Sequence, residues 1–213
     1  MRKATEVFGE WAENGKDEGM EKGHAASVNE ILRFALKERS LLSKSFNFLD
    51  MGCGNGWVVR KLINDPLCKL AIGIDGAKQM ISNAKKKGKD CHYICADLTT
   101  YQPSMKFDLV HSMEVMYYLN DPLSVIKKVQ ESWLNSDGRL IIGLDLYYEN
   151  KESHSWEAKV NTPMLMLKES EWVHLFEQAG FKEVESWRVN KTEDWAGTLV
   201  VTGKKASLSP IIL

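Results

Sequence analysis

The stretch Phe46-Asn47-Phe48-Leu49-Asp50-Met51-Gly52-Cys53-Gly54-Asn55-Gly56 decides how the chain reads. It begins as an apolar run, places a carboxylate at Asp50, and breaks into alternating glycines. A helical pattern follows at once through Trp57, Val58, Val59, Leu62 and Ile63. The order is strand, tight glycine turn, helix N-terminus. Glycine accepts positive φ and lets a ligand approach where a Cβ would clash. A helix N-terminus adds free N–H donors and a partial positive charge. Together they predict a cradle for a polar, partly anionic small molecule. Such a turn gains specificity from its context: a strand before, a helix after, and an acidic residue about 20 positions on. Asp75 fills the last place.

The other strands and helices follow outward from this turn. Upstream, residues 1–23 are mixed and polar, with Phe8 and Trp11 as large anchors and a short helix expected near Thr5–Glu13. Gly15, Gly19 and Gly23 are expected to interrupt any longer helix there. From His24 the spacing of Val28, Ile31, Leu32, Ala35 and Leu36 predicts an amphipathic helix. Downstream, Asp65-Pro66 stops the first helix. A short apolar run, Leu70–Ile74, ends in Asp75-Gly76. Met80, Ile81 and Ala84 mark the buried face of the next helix, which ends in Lys85-Lys86-Lys87. That basic run reads as a solvated last turn complementing the helix dipole, with phosphate contact as the alternative.

Cys91–Cys95 predicts a third strand ending at Ala96-Asp97-Leu98, and Phe107–Ser112 a fourth. Asn120-Asp121-Pro122 starts a helix with a capping side chain and proline in the first turn. Ser136-Asp137-Gly138 turns into a fifth strand, Leu140–Leu144. Residues 145–168 lose periodicity. A helix through Trp172 and Phe176 ends at Gly180, and closing strands are expected near Phe181–Val189 and Trp195–Thr202. Alternating β and α elements predict a mostly parallel sheet with helices on both faces. Ligands in such sheets bind beyond the C-terminal strand ends.

Composition sets outer limits. A length of 213 residues with no visible linker suits one domain spanning 1–213. The hydrophobic share of 44% and charged share of 27% match a soluble globular protein. A net charge of −1 argues against a protein built mainly to bind nucleic acid, and no dedicated nucleic-acid module is visible. No apolar run approaches a membrane span, and no signal peptide shows, so a cytoplasmic location is expected. Cys53, Cys68, Cys91 and Cys95 form no CxxC pair, and the five histidines are scattered, so no metal site is expected.

Four strand ends converge on one edge of the predicted sheet: Asp50–Gly56, Asp75-Gly76, Ala96-Asp97-Leu98 and Ser112-Met113-Glu114. Two carboxylate oxygens at Asp75 match the vicinal hydroxyls of a ribose. Asp97 suits an exocyclic amine, and Met80 a purine face. The competing class is a dinucleotide oxidoreductase. Its fingerprint wants a third glycine three residues after the second. Trp57 stands there, where its bulk obstructs a pyrophosphate.

The segments LDMGCGNG (Leu49–Gly56), GIDGAKQM (Gly73–Met80), ADL (Ala96–Leu98) and FDLVHSMEVMYYL (Phe107–Leu119) resemble successive motifs of class I S-adenosylmethionine-dependent methyltransferases, with a feel of the methyltransferase 11 branch. The resemblance covers roughly residues 24–203. It implies a Rossmann-like α/β fold: a seven-stranded, mostly parallel sheet, helices on both faces, the last strand antiparallel, and an N-terminal helical lid over residues 1–38. It implies S-adenosyl-L-methionine as cofactor, leaving S-adenosyl-L-homocysteine as product. Gly52, Cys53, Gly54, Asn55 and Gly56 then surround the methionine part, and Asp50 helps hold its amino group. Asp75 takes the ribose, with Gly76 and Met80 beside it. Asp97 takes the adenine amine between Ala96 and Leu98. Ser112 and Met113 sit near the carboxylate or sulfonium. His24 closes over the cofactor, or else is a surface residue at a helix start.

Methyl transfer from a sulfonium is an in-line displacement, so the protein chiefly aligns the nucleophile. A base is needed where the acceptor carries a proton. The candidates are Glu114, Tyr117 and Tyr118. In phosphobase methyltransferases a similar segment places an acid and a His at the positions of Glu114 and Tyr118, and Tyr replaces that His here. Segment 145–168 is expected to cap the acceptor, with Tyr148 and Trp156 as contacts, since aromatic faces attract cations. A small organic acceptor is the leading expectation. A protein or tRNA acceptor is the alternative, and a binding protein without turnover remains open. Residues 204–213 read as a tail.

Overall fold

The computed structural model describes residues 1–207. Two helices lead: α1 (Ala4–Glu13) and α2 (Asp17–Leu41). Then come β1 (Phe46–Met51), α3 (Trp57–Leu62), β2 (Cys68–Asp75), α4 (Lys78–Lys87), β3 (His92–Cys95) and β4 (Phe107–Met113). The second half holds α5 (Pro122–Lys128), β5 (Leu134–Leu144), α6 (Trp156–Val160), α7 (Glu169–Gln178), β6 (Lys182–Val189) and β7 (Thr198–Lys204). The seven strands form one sheet in the order β3-β2-β1-β4-β5-β7-β6. β7 runs antiparallel to both neighbours, and the other six strands share one direction. The chain winds outward from β1 to β3, then restarts on the other side at β4. The switch point therefore lies between β1 and β4, where the glycine turn leaves the sheet.

Strand alternation splits the core into two layers. On β1, Phe48 joins Val28, Ile31, Leu32, Val59 and Ile81, the layer covered by α2, α3 and α4. Its neighbour Leu49 joins Val125, Ile126, Trp133, Trp172 and Phe176, the layer covered by α5 and α7. Both layers exclude water, so the central strands are mostly apolar on both faces, as a parallel sheet requires, with Asp50, His111 and Ser112 as buried polar exceptions toward the C-terminal ends of β1 and β4. α5 starts as expected, with the Asp121 carboxylate accepting the Ser124 N–H at 3.0 Å and Pro122 in the first turn.

Three expectations are corrected. α2 begins at Asp17 and runs straight through Gly19 and Gly23. Only Gly15, at φ +72°, breaks the chain there. Each helical glycine costs about 1 kcal/mol. The buried Val28, Ile31 and Leu32 on the same helix return roughly 1.5–3 kcal/mol apiece, so packing prevails. Segment 145–168 is not irregular throughout, for it folds into a 3₁₀ turn at Lys151–Ser155 and then α6. The expected tail starts inside β7, whose last residue is Lys204, and residues 208–213 lie outside the described residues. No helix among the described residues is long and apolar enough to cross a membrane.

Candidate active site

A cavity of about 890 Å³ opens beyond the C-terminal ends of β1, β2, β3 and β4. It lies within the range of small-molecule sites, ~300–1,000 Å³. The glycine turn forms its floor. Gly52, Gly54 and Gly56 all take positive φ, at +71°, +52° and +77°. A Cβ at Gly52 would collide with the Val115 side chain, and one at Gly56 with the Tyr93 ring. At Gly54 the nearest atom to such a Cβ is Met80 Sδ, 3.9 Å away. Close packing thus demands the outer glycines, and only the middle one leaves open space toward the cavity.

Asp75 ties this turn to the end of β2. One carboxylate oxygen accepts the Gly54 N–H at 2.9 Å and the other accepts the Ala77 N–H at 2.7 Å. Burial pushes its pKa up to about 6, and the two backbone donors partly offset that rise. Each oxygen keeps a lone pair for a further donor, as a ribose diol supplies. Asp97 is exposed at the cavity wall and accepts the Thr99 N–H at 2.8 Å and its hydroxyl at 2.7 Å. Those bonds hold its carboxyl below the usual range. Gly76, Met80, Ala96 and Leu98 complete this end.

At the other side of the turn, Asp50 is buried and meets His111 Nδ1 at 2.7 Å. Both line the cavity. His111 Nε2 is buried with no hydrogen-bond partner among the described residues. Asn55 donates to the Asp17 carboxylate at 3.1 Å and its carbonyl at 3.3 Å, which fastens the turn to the start of α2. Cys53 lines the cavity, and burial raises its thiol well above the ordinary value.

Beyond β4 the chain enters the left-handed region at Glu114, with φ +61°, a conformation that costs a non-glycine residue about 1–3 kcal/mol. The turn is held by the Glu114 N–H donating to the Gly143 carbonyl at 2.9 Å. It aims the Glu114 carboxyl toward the cavity. The Tyr117 hydroxyl and the Asp145 backbone N–H both donate to that carboxyl. Burial first, and the Asp145 charge second, push its pKa up to about 8. His24, on α2, faces the same point, with Nδ1 3.5 Å from Asp145 Oδ2. Burial lowers its pKa, but the Asp145 carboxylate beside Nδ1, together with the charges of Glu114 and Asp145, raises it overall. Tyr118 lines the cavity, and its ring stands 5.2 Å from Phe8 of α1 in an edge-on pair.

Most of the residues marked in the sequence therefore meet in one place. Gly56 and Ser112 do not line the cavity: Gly56 is pressed against Tyr93, and the Ser112 hydroxyl is spent on the Met51 carbonyl at 2.9 Å. Tyr117 is buried behind Glu114. Tyr148 and Trp156 stand elsewhere. Tyr148 lines a separate hollow of about 240 Å³ with His154 and Met164, and Trp156 packs against the core. From that segment it is Thr162 and Pro163 that reach the main cavity. His111, Asp145 and Phe8 were not assigned to the site from the sequence. Asp145 carried a usable signal, because it directly follows a strand, much as Asp75 ends one.

A family model described as a methyltransferase domain matches residues 18–186. The chain belongs to the methyltransferase-domain family. This is the class I S-adenosylmethionine-dependent group that the motifs resemble, and its Rossmann-like sheet is the one observed. A ubiquinone biosynthesis O-methyltransferase from Pelagibacter ubique is 26% identical over 155 residues, covering 67% of this chain and 62% of that protein. A methyltransferase of Haloferax volcanii, solved in complex with the Trm112 methyltransferase activator, superposes with a TM-score of 0.81 at 24% identity, covering 97% of this chain and 99% of the other. The N-methyltransferase NodS from Bradyrhizobium japonicum WM9, in complex with S-adenosyl-L-homocysteine, gives a TM-score of 0.61 at 20% identity over 83% of this chain and 84% of its own. The methyltransferase domain spans between 32% and 62% of the length of the first curated relatives it matches.

Proposed function

We propose that this chain transfers a methyl group from S-adenosyl-L-methionine to a nucleophilic atom of a small organic acceptor. One observation carries the reading. A single cavity runs from Asp75 and Asp97, past the open Gly54 position, to His24, Glu114 and Tyr118. Its first half fits the donor: acidic acceptors for ribose and amine, and a backbone turn with room above Gly54. When bound, the donor supplies an activated methyl on a sulfonium. The chain then has to hold the acceptor in line and keep water away.

The second half supports a small acceptor. Residues from the N-terminus and from the segment that follows α6 close around it. The Arg2 N–H donates to the Asn161 carbonyl at 2.9 Å, joining the N-terminus to the segment that carries Thr162 and Pro163. Phe8 and Tyr118 give this end aromatic surface. Glu114 and His24 are the proton-carrying groups that face it, placed to hold or accept a proton at the acceptor atom.

The test is release of S-adenosyl-L-homocysteine on incubation with panels of small amines, carboxylic acids and phenols, beside tRNA and protein pools. Turnover that depends on a small acceptor and drops in Tyr118→Phe and Glu114→Gln is expected. Turnover on tRNA or protein alone would overturn the acceptor assignment.

A further inference from the structure

We infer that His24, Glu114 and Asp145 form a binding site for one first-row divalent cation beside the acceptor end of the cavity. One ligand atom from each, an imidazole nitrogen and two carboxylate oxygens, lies within 4.8 Å of the others. Ligand atoms sharing one cation at about 2.0–2.2 Å in tetrahedral geometry stand roughly 3.3–3.6 Å apart; His24 Nδ1 and Asp145 Oδ2 are already at 3.5 Å, so side-chain shifts of about an ångström at most close the site. Three separate elements deliver them: α2, the residue after β4, and the residue after β5.

A second observation points to a missing ligand. Asp145 is only 6% exposed, and its Oδ1 is buried without a hydrogen-bond partner. Its other oxygen stands 3.5 Å from His24 Nδ1, too far for a strong hydrogen bond. Native structures rarely leave a buried carboxylate oxygen unpaired, because its lost hydration goes uncompensated. Glu114 is pinned toward the same point by a left-handed backbone turn. A cation held by Asp145 would give this buried carboxylate the strong partner that neither of its side-chain oxygens has, since Oδ2 meets only His24 at 3.5 Å and Oδ1 meets nothing among the described residues.

Mixed nitrogen and oxygen ligands suit Mn²⁺, Fe²⁺ or Zn²⁺ better than soft cations. Three protein ligands leave further coordination positions open. His24 and Glu114 both line the cavity, so those positions face the place where an acceptor oxygen or nitrogen would lie. The sequence hides this cluster, because its members sit at positions 24, 114 and 145. The site does not depend on the methyl-transfer reading.

The experiment is a titration of the full chain, freed of metal by a chelator, with Mn²⁺ and no methyl donor. Free Mn²⁺ is followed by electron paramagnetic resonance and heat by calorimetry. Uptake of one Mn²⁺ per chain is expected, displaced by Zn²⁺. His24→Gln and Asp145→Asn should each weaken it by at least about tenfold, the loss that follows removal of even an outer partner of a metal site. His174→Gln, on an exposed face of α7, should leave it unchanged. Circular dichroism confirms folding of each variant. Should Asp145→Asn unfold, the partly exposed His24 carries the comparison alone. No saturable uptake, or uptake that His24→Gln leaves intact, would overturn the inference.

Discussion

Replacing Asp75 by Asn probes the donor half of the cavity most sharply. In the wild type each carboxylate oxygen holds one backbone N–H, from Gly54 at 2.9 Å and Ala77 at 2.7 Å. Asn keeps one acceptor oxygen but presents an NH₂ group to the other donor. One backbone N–H then loses its partner, at a cost of about 1–3 kcal/mol in stability. The ribose hydroxyls also lose a charged acceptor, worth about 1.5–3 kcal/mol. In dissociation constant that is roughly a ten- to 150-fold weakening. Calorimetry with S-adenosyl-L-homocysteine at neutral pH reads the second quantity and thermal unfolding reads the first. A folded variant whose affinity stays within about twofold of wild type would refute the ribose assignment, since that change is well below one hydrogen bond to a charge.

Two further outcomes follow from the same turn. Burial lifts Asp75 to about 6 from an ordinary 3.8, so the folded chain binds more protons than the unfolded chain between those values. This group therefore makes stability rise as pH falls through that window. Ligand hydroxyls prefer the ionised form, so affinity for S-adenosyl-L-homocysteine should fall as the pH drops through about 6. Calorimetry across pH 5 to 8 checks the sign, and a flat profile in wild type would contradict it. Gly54→Val should abolish that binding, because its methyls enter the cavity above the turn. The left-handed backbone adds about 1–2 kcal/mol of destabilisation. Circular dichroism should still show a folded protein, and retained tight binding would mean the turn faces elsewhere.

What the sequence disclosed was local. A strand, its glycine turn and the helix after it are set by periodicity and by residues a few positions apart. Asp75 and Asp97 could be marked for that reason, as could the capped start of α5. The pairs that complete the site join residues far apart in the chain: Asn55 with Asp17, His111 with Asp50, and His24 with Asp145. No local pattern reports them. Gly19 and Gly23 misled because propensity is weak beside the burial of Val28, Ile31 and Leu32 on one helix. Tyr148 and Trp156 misled differently. Aromatic density says that surface will be covered, yet it gives no direction, and these rings turned to a side hollow and to the core. The three glycines looked equivalent in sequence, although Val115 and Tyr93 account for two of them.

The most direct test of the account is photolabelling of the full chain with S-adenosyl-L-methionine carrying a radioactive methyl group, followed by peptide mapping. The account predicts saturable label on peptides bearing residues 50–57, 75–80, 96–98 and 113–118, competed by S-adenosyl-L-homocysteine and lost in Gly54→Val. Label confined to other surfaces, or label that Gly54→Val leaves untouched, would contradict it.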